Sequence, residues 1–144
     1  MTVTLSDEAR RIIALFEDES GATVRDCVVD DKYGRLLVLV KAGEMSEAIG
    51  PGGRTVQRVA DRLDREIKLV EDAPTAEDFV ASALAPAAVY NVTMSDGAED
   101  DPTVAYAEVA DEDRGVAIGE DGRNIAAART LAARHFDVDD VELT

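Results

Sequence analysis

Two stretches of the chain place the same residue types at the same spacing. Ile49-Gly50-Pro51-Gly52-Gly53-Arg54-Thr55-Val56 and Ile118-Gly119-Glu120-Asp121-Gly122-Arg123-Asn124-Ile125 both read Ile-Gly-x-x-Gly-Arg-x-(Val/Ile). Two glycines three apart make a sharp turn with no Cβ to block a close approach of the backbone to a ligand. A helix that follows such a turn directs its free N–H groups and the positive end of its dipole at the same spot. The arginine adds a fixed positive charge. This set of groups suits a phosphate or a sugar–phosphate backbone. It does not suit nucleotide hydrolysis, because there is no GxxxxGK[ST] and the loop joins two helices rather than following a strand. A single Gly-x-x-Gly is a plain tight turn; its weight here comes from recurring in the same context.

The first copy backs its loop with further charge. Arg54, Arg58, Arg62 and Arg65 cluster within about 80° on a wheel of 3.6 residues per turn, opposite an apolar stripe of Val56, Val59, Ala60 and Leu63. The basic face is expected to extend the phosphate-binding surface. The competing expectation is a solvated face on which these arginines pair with Asp61, Asp64, Glu66 and other acids. The second copy keeps Arg123 and Arg134 but has Ala127 and Leu131 in place of Arg58 and Arg62. It also sets Glu120 and Asp121 inside the loop. A carboxylate about 4 Å from a phosphate charge is repelled by roughly 4 kcal/mol at an effective dielectric near 20, a repulsion that molar salt largely screens. Weak contact with a sugar–phosphate backbone is the reading favoured for the second loop. A structural role beside the first loop and a protein contact are the other two.

The elements that must position these loops repeat in one order, offset by 69 residues. Leu5, Ala9, Ile12, Ile13 and Phe16 share a helical face, with Gly21 as a stop. TVRDCVVD and LLVLVK read as strands joined by a turn at Asp31-Lys32-Tyr33-Gly34. A short helix over Met45–Ile49 leads into the glycine loop, a longer helix follows, and IKLVE closes the unit as a strand. Asp72-Ala73-Pro74 reads as a linker. Thr75 with Asp78 is a candidate capping box for the next helix, which Pro86 ends. VYNVTM and TVAYAEVA flank the loop DGAEDDP, and a short helix, the second glycine loop, a helix to Phe136 and the strand VDDVEL complete the unit. The fold class expected is α+β. Two domains, 1–72 and 73–144, each run α-β-β-α-α-β and carry one three-stranded sheet.

The two loop sequences in this setting resemble the core motif of KH domains, in the type II element order. In that family the loop clamps the backbone of about four nucleotides of single-stranded nucleic acid. Two such domains in tandem, covering Leu5 to Leu143, resemble the archaeal NusA-like transcription termination factors. The resemblance implies a protein that binds single-stranded RNA without catalysis, in termination or elongation control. Ile49, Gly50, Pro51, Gly52, Gly53 and Arg54 would form the principal clamp, extended by Arg58 and Arg62. Gly119, Glu120, Asp121, Gly122 and Arg123 would form a secondary one. RNA polymerase or ribosomal components are the further partners it suggests. Bacterial members also carry a polymerase-binding domain and an S1 domain, to which no part of this sequence is assigned, so polymerase contact is not carried over by resemblance alone. Ile49, Val56, Ile118 and Ile125 match positions that hold bases in the family, yet each falls on an apolar helix face and is expected to serve the core. The alternative function is a protein-interaction module whose acidic second half docks on a basic partner.

Composition bounds these readings. The chain holds 31 acidic and 15 basic residues, a net charge of −16, and twelve of the fifteen basic residues are arginine. Residues 1–72 carry a net −4 and residues 73–144 a net −12. Acidity of this kind in an apolar-rich chain is expected of a protein that folds in concentrated salt rather than of a disordered tail. With three Tyr, three Phe and no Trp, extensive base stacking on aromatic platforms is not expected. No nucleophile–base pair or metal-ligand spacing stands out, so neither an enzyme nor a cofactor or metal is expected. Cys27 has no partner for an internal disulfide and reads as a packed strand residue, and His135 as a structural or exposed residue at a helix end. No apolar run is long enough to span a bilayer, and the first residues do not read as a secretory signal. A cytoplasmic monomer is the expectation.

Overall fold

The computed structural model describes residues 4–95 and 100–144. Residues 96–99 of the expected DGAEDDP loop lie outside them. Ser6 opens the first helix, α1 (Asp7–Ser20), by accepting the amide of Ala9 at 3.0 Å. Gly21, at φ 75°, closes it in the left-handed conformation that glycine adopts most easily. Ala9, Ile12 and Phe16 recur along one face and are buried. The chain then forms β1 (Val24–Asp30) and β2 (Arg35–Val40), α2 (Met45–Ile49), α3 (Arg54–Leu63) and β3 (Glu66–Glu71). β1 pairs antiparallel with β2, and β2 parallel with β3, giving the order β1-β2-β3. At the turn between β1 and β2, Arg35 pairs with Asp30 at 2.9 Å and lies over the Tyr33 ring at 4.9 Å.

The second unit repeats this plan. It runs α4 (Ala76–Ala83), β4 (Val89–Ser95), β5 (Val104–Val109), α5 (Arg114–Ile118), α6 (Arg123–Phe136) and β6 (Asp140–Leu143), with sheet order β4-β5-β6. Thr75 caps α4 by accepting the amide of Asp78 at 3.2 Å. Both sheets shift register at the same place, between Val24 and Asp26 and between Val89 and Asn91. The chain divides into compact units at Asp72–Ala73. Each is a mixed α+β module with one three-stranded sheet, as the residue pattern implies.

In the first unit, Ile12 and Phe16 of α1, Leu36, Val38 and Val40 of β2, Ala48 of α2 and Val59 of α3 form one apolar cluster. Burying a side chain of that size is worth roughly 1.5–3 kcal/mol, and Val59 and Ala48 bring the helices on either side of the glycine loop into the cluster. The loop is thus pinned from both ends to the same core. In the second unit Ala117, Ile125, Ala128 and Leu131 are buried on α5 and α6.

Candidate nucleic-acid interface

Each glycine loop joins its two helices through one short turn, Pro51–Gly53 or Glu120–Gly122. The backbones coincide residue by residue. Gly50 has φ 76° and ψ 169°, and Gly119 has 79° and 167°. Gly52 has 63° and 20°, and Asp121 has 56° and 24°. Gly53 and Gly122 sit at 77°, 10° and 76°, 12°. Each turn is tied by a bond of 3.0 Å, from the amide of Gly53 to the carbonyl of Gly50 and from that of Gly122 to that of Gly119. Two different sequences therefore hold one shape.

The first glycine of each pair is required by a close approach. A Cβ on Gly50 would collide with the side chain of Thr55, and one on Gly119 would lie 2.8 Å from both Cβ and N of Asn124. Thr55 and Asn124 are buried against the turn. The Asn124 amide donates to the carbonyls of Leu84 (3.1 Å) and Ala117 (3.2 Å), so α6 begins anchored to both neighbouring helices. Neither α3 nor α6 has a side-chain cap at its N-terminus. The amide of the first residue of each helix, Arg54 or Arg123, donates to the turn carbonyl of Pro51 or Glu120; no side chain caps the turn that follows, and a helix N-terminus of this kind receives anions.

Beside the first loop, Arg54, Arg58 and Arg62 are exposed along α3. Among the described residues the Arg54 guanidinium has no ion-pair or hydrogen-bond partner, its backbone amide donating to Pro51. Arg58 and Arg62 converge on Glu19 of α1, at 3.3 and 2.6 Å. The arginines are therefore partnered, but by an acid 39 and 43 residues away and not by Asp61, Asp64 or Glu66 on their own segment. Sequence spacing gave no signal for Glu19. Arg65 does not join the stripe, because α3 ends at Leu63 and Asp64 turns the chain at φ 52°; its guanidinium lies 3.7 Å from Glu8. Between α3 and the start of β3 runs a groove of about 510 Å³, lined by Val56, Gln57, Ala60, Asp61, Arg65 and Ile67.

The apolar motif positions divide. Ile125 is buried and Val56 packs half-buried against the core, as expected. Ile49 and Ile118 are exposed, at 39% and 40%, which corrects the expectation that they serve the core. Each is the last residue of a five-residue helix whose inward position is taken by the preceding alanine, Ala48 or Ala117. That leaves the isoleucines at the loop's edge, available to a ligand. Glu44 sets the approach to α2, accepting the Thr23 amide at 2.6 Å; this backbone hydrogen bond holds its carboxyl below the ordinary glutamate value. Cys27 is buried, and the His135 ring lies 6.0 Å from that of Phe79.

Around the second loop the charges differ. Ala127 and Leu131, at the places of Arg58 and Arg62, are fully buried, while Glu120 and Asp121 are exposed. Val116 and Ile118 add an exposed apolar pair on α5.

Comparison with known proteins shows the family. The family of NusA-like second KH domains matches residues 76–144, and the KH domain family matches residues 10–92. Proteins named probable transcription termination protein NusA are similar over the full chain. That of Halobacterium salinarum is 62% identical over 100% of both chains. That of Halococcus morrhuae is 61% identical over 99% of both, and that of Methanococcus vannielii 31% identical over 99% of this chain and 80% of its own. The crystal structure of APE1850 superposes with a TM-score of 0.85 at 28% identity, over 97% of this chain and 100% of that one. The acidic composition accords with the halophilic archaea among these relatives. The chain belongs to the archaeal NusA-like family of tandem KH-domain proteins.

Proposed function

We propose that this protein binds single-stranded RNA, without catalysis, in the control of transcription termination or elongation. The observation that carries the reading is the first loop itself. Gly50 to Gly53 present bare backbone at the uncapped start of α3, with the free guanidinium of Arg54 next to it and those of Arg58 and Arg62 further along the helix. Phosphates would lie against the loop amides and these arginines, and Ile49 with the α3–β3 groove would receive bases. The second loop, Gly119 to Arg123, offers the same backbone with two carboxylates in it, so it serves as a weaker, secondary contact. Its relatives' name supports the role in termination, and the cytoplasm is where such a role is exercised.

Titration of short single-stranded RNA by fluorescence anisotropy, across the salt range in which the protein stays folded, tests the reading. A clamp on three or four phosphates predicts a log–log slope of roughly −2 to −3, about −0.7 for each phosphate neutralised. Absence of binding at every such salt concentration would replace the RNA reading with the second one, a protein-docking module. The feature that favours that alternative is the acidic second unit with its exposed Val116 and Ile118.

A further inference from the structure

We infer that Glu19, on a helix outside the glycine motif, is a positioning residue for the RNA contact, an inference that rests on the RNA-binding reading above. One carboxylate serves two guanidiniums: Oε1 accepts from Arg62 at 2.6 Å and Oε2 from Arg58 at 3.3 Å. Glu19 is mostly buried, at 18% exposed, while the arginines are more than half exposed, at 55% and 56%. Each arginine spends one terminal nitrogen on Glu19. The remaining donors of its planar fork stay open to solvent, on the helix face that begins with Arg54 beside the loop. The carboxylate thus fixes two long, rotamer-rich side chains in one orientation before any ligand arrives.

The second unit supplies an internal comparison. At the 69-residue offset of the repeat, Ala127 and Leu131 stand where Arg58 and Arg62 do. Both are fully buried. The second unit therefore lacks the pair of arginines that Glu19 holds in the first. Preorganisation matters most in concentrated salt. There, with a Debye length of about 3 Å, long-range attraction to phosphate is lost and only formed, directional hydrogen bonds remain.

A plain electrostatic role and a positioning role predict opposite signs. Removing a negative charge from a phosphate-binding face would tighten RNA binding if Glu19 only neutralised the arginines. Positioning predicts that Glu19→Ala weakens RNA binding in molar salt by about tenfold, the cost of ordering two free arginines on binding. It also predicts that this loss disappears in an Arg58→Ala/Arg62→Ala background. Anisotropy titrations of the four proteins, each with a thermal melt in the same salt, read both. Equal or tighter binding by Glu19→Ala overturns the inference, and so does a loss that persists without the arginines. Should Glu19→Ala fail to fold, Glu19→Gln keeps the shape but leaves one acceptor for two donors; wild-type affinity in that variant overturns the inference equally. A wild-type chain that binds no RNA removes the RNA reading and this inference together. Wild-type binding with tighter Glu19→Ala removes this inference alone.

Discussion

At Gly50 the fold has no room for a methyl group. The residue stands at φ 76° and ψ 169°, a region that side chains avoid at a cost of roughly 1–3 kcal/mol, and its missing Cβ is the space filled by Thr55. Gly52 differs: it has positive φ but nothing within 4 Å of an added Cβ, so alanine there meets only the backbone preference, about 1–2 kcal/mol. Gly50→Ala should therefore lower the melting temperature more than Gly52→Ala does. The expected gap is several degrees, since about 1 kcal/mol moves the midpoint of a 60–100-residue domain by roughly 4–8 °C. Gly50→Ala should also lose RNA binding, because the turn must shift to admit the new atom. Melts of both variants in molar salt decide the point. Equal midpoints would mean that the close approach to Thr55 is not what demands glycine.

The helix–turn–helix element tolerates a change of charge that a single residue would not reveal. Asp121 occupies the conformation of Gly52 within a few degrees, so the first loop can accept the residues of the second. Pro51→Glu with Gly52→Asp is expected to leave the fold intact. The αL cost of the aspartate, about 1–2 kcal/mol, is partly offset by two acids at a helix N-terminus, each worth about 0.3–1 kcal/mol. RNA affinity should fall by about tenfold or more at the lowest salt in which the protein stays folded, and by less in molar salt, because carboxylates stand where phosphates must come within a few ångströms. An unchanged affinity beside an unchanged melt would show that phosphate does not enter this loop. Much of this element was legible in the sequence, because glycine spacing and helical periodicity are local signals. The order of strands and helices, Gly21, the cap at Thr75 and the contrast between the two loops all follow from such signals. The rest depends on tertiary contact. Arg65 continues the stripe by periodicity alone, which does not show that Asp64 ends the helix in a left-handed conformation. The exposure of Ile49 and Ile118 is not legible from spacing, because a five-residue helix has too few turns for its faces to be assigned. Glu19 was invisible, since its partners lie on a helix reached only after two strands.

On the scale of the whole molecule, charge is the property that governs behaviour, and it is unevenly held. A net −16 on 144 residues destabilises the folded chain by self-repulsion unless counter-ions screen it, and at molar ionic strength the screening length falls to about 3 Å. The first unit offsets part of its acidity with pairs that reach between elements, such as Arg58 and Arg62 on Glu19 and Arg35 on Asp30. The second unit has four basic residues against sixteen acidic ones; Arg129 pairs with Asp140 at 2.9 Å, but four cations leave most of the carboxylates to solvent. Stability should therefore rise with salt, and the second unit should need the salt more. Hydrogen exchange followed by mass spectrometry, on one protein stepped down from molar to low salt, separates the units without mutation. Amides of β5 and α6 are expected to lose protection at higher salt than those of β2, whose six residues are all buried. Protection that falls equally in β2 and β5 would mean that the excess charge of the second unit does not set its stability. Earlier loss in β5, with β2 and the first loop still ordered, would mean that the first unit retains the arginine-backed clamp after its acidic repeat has opened.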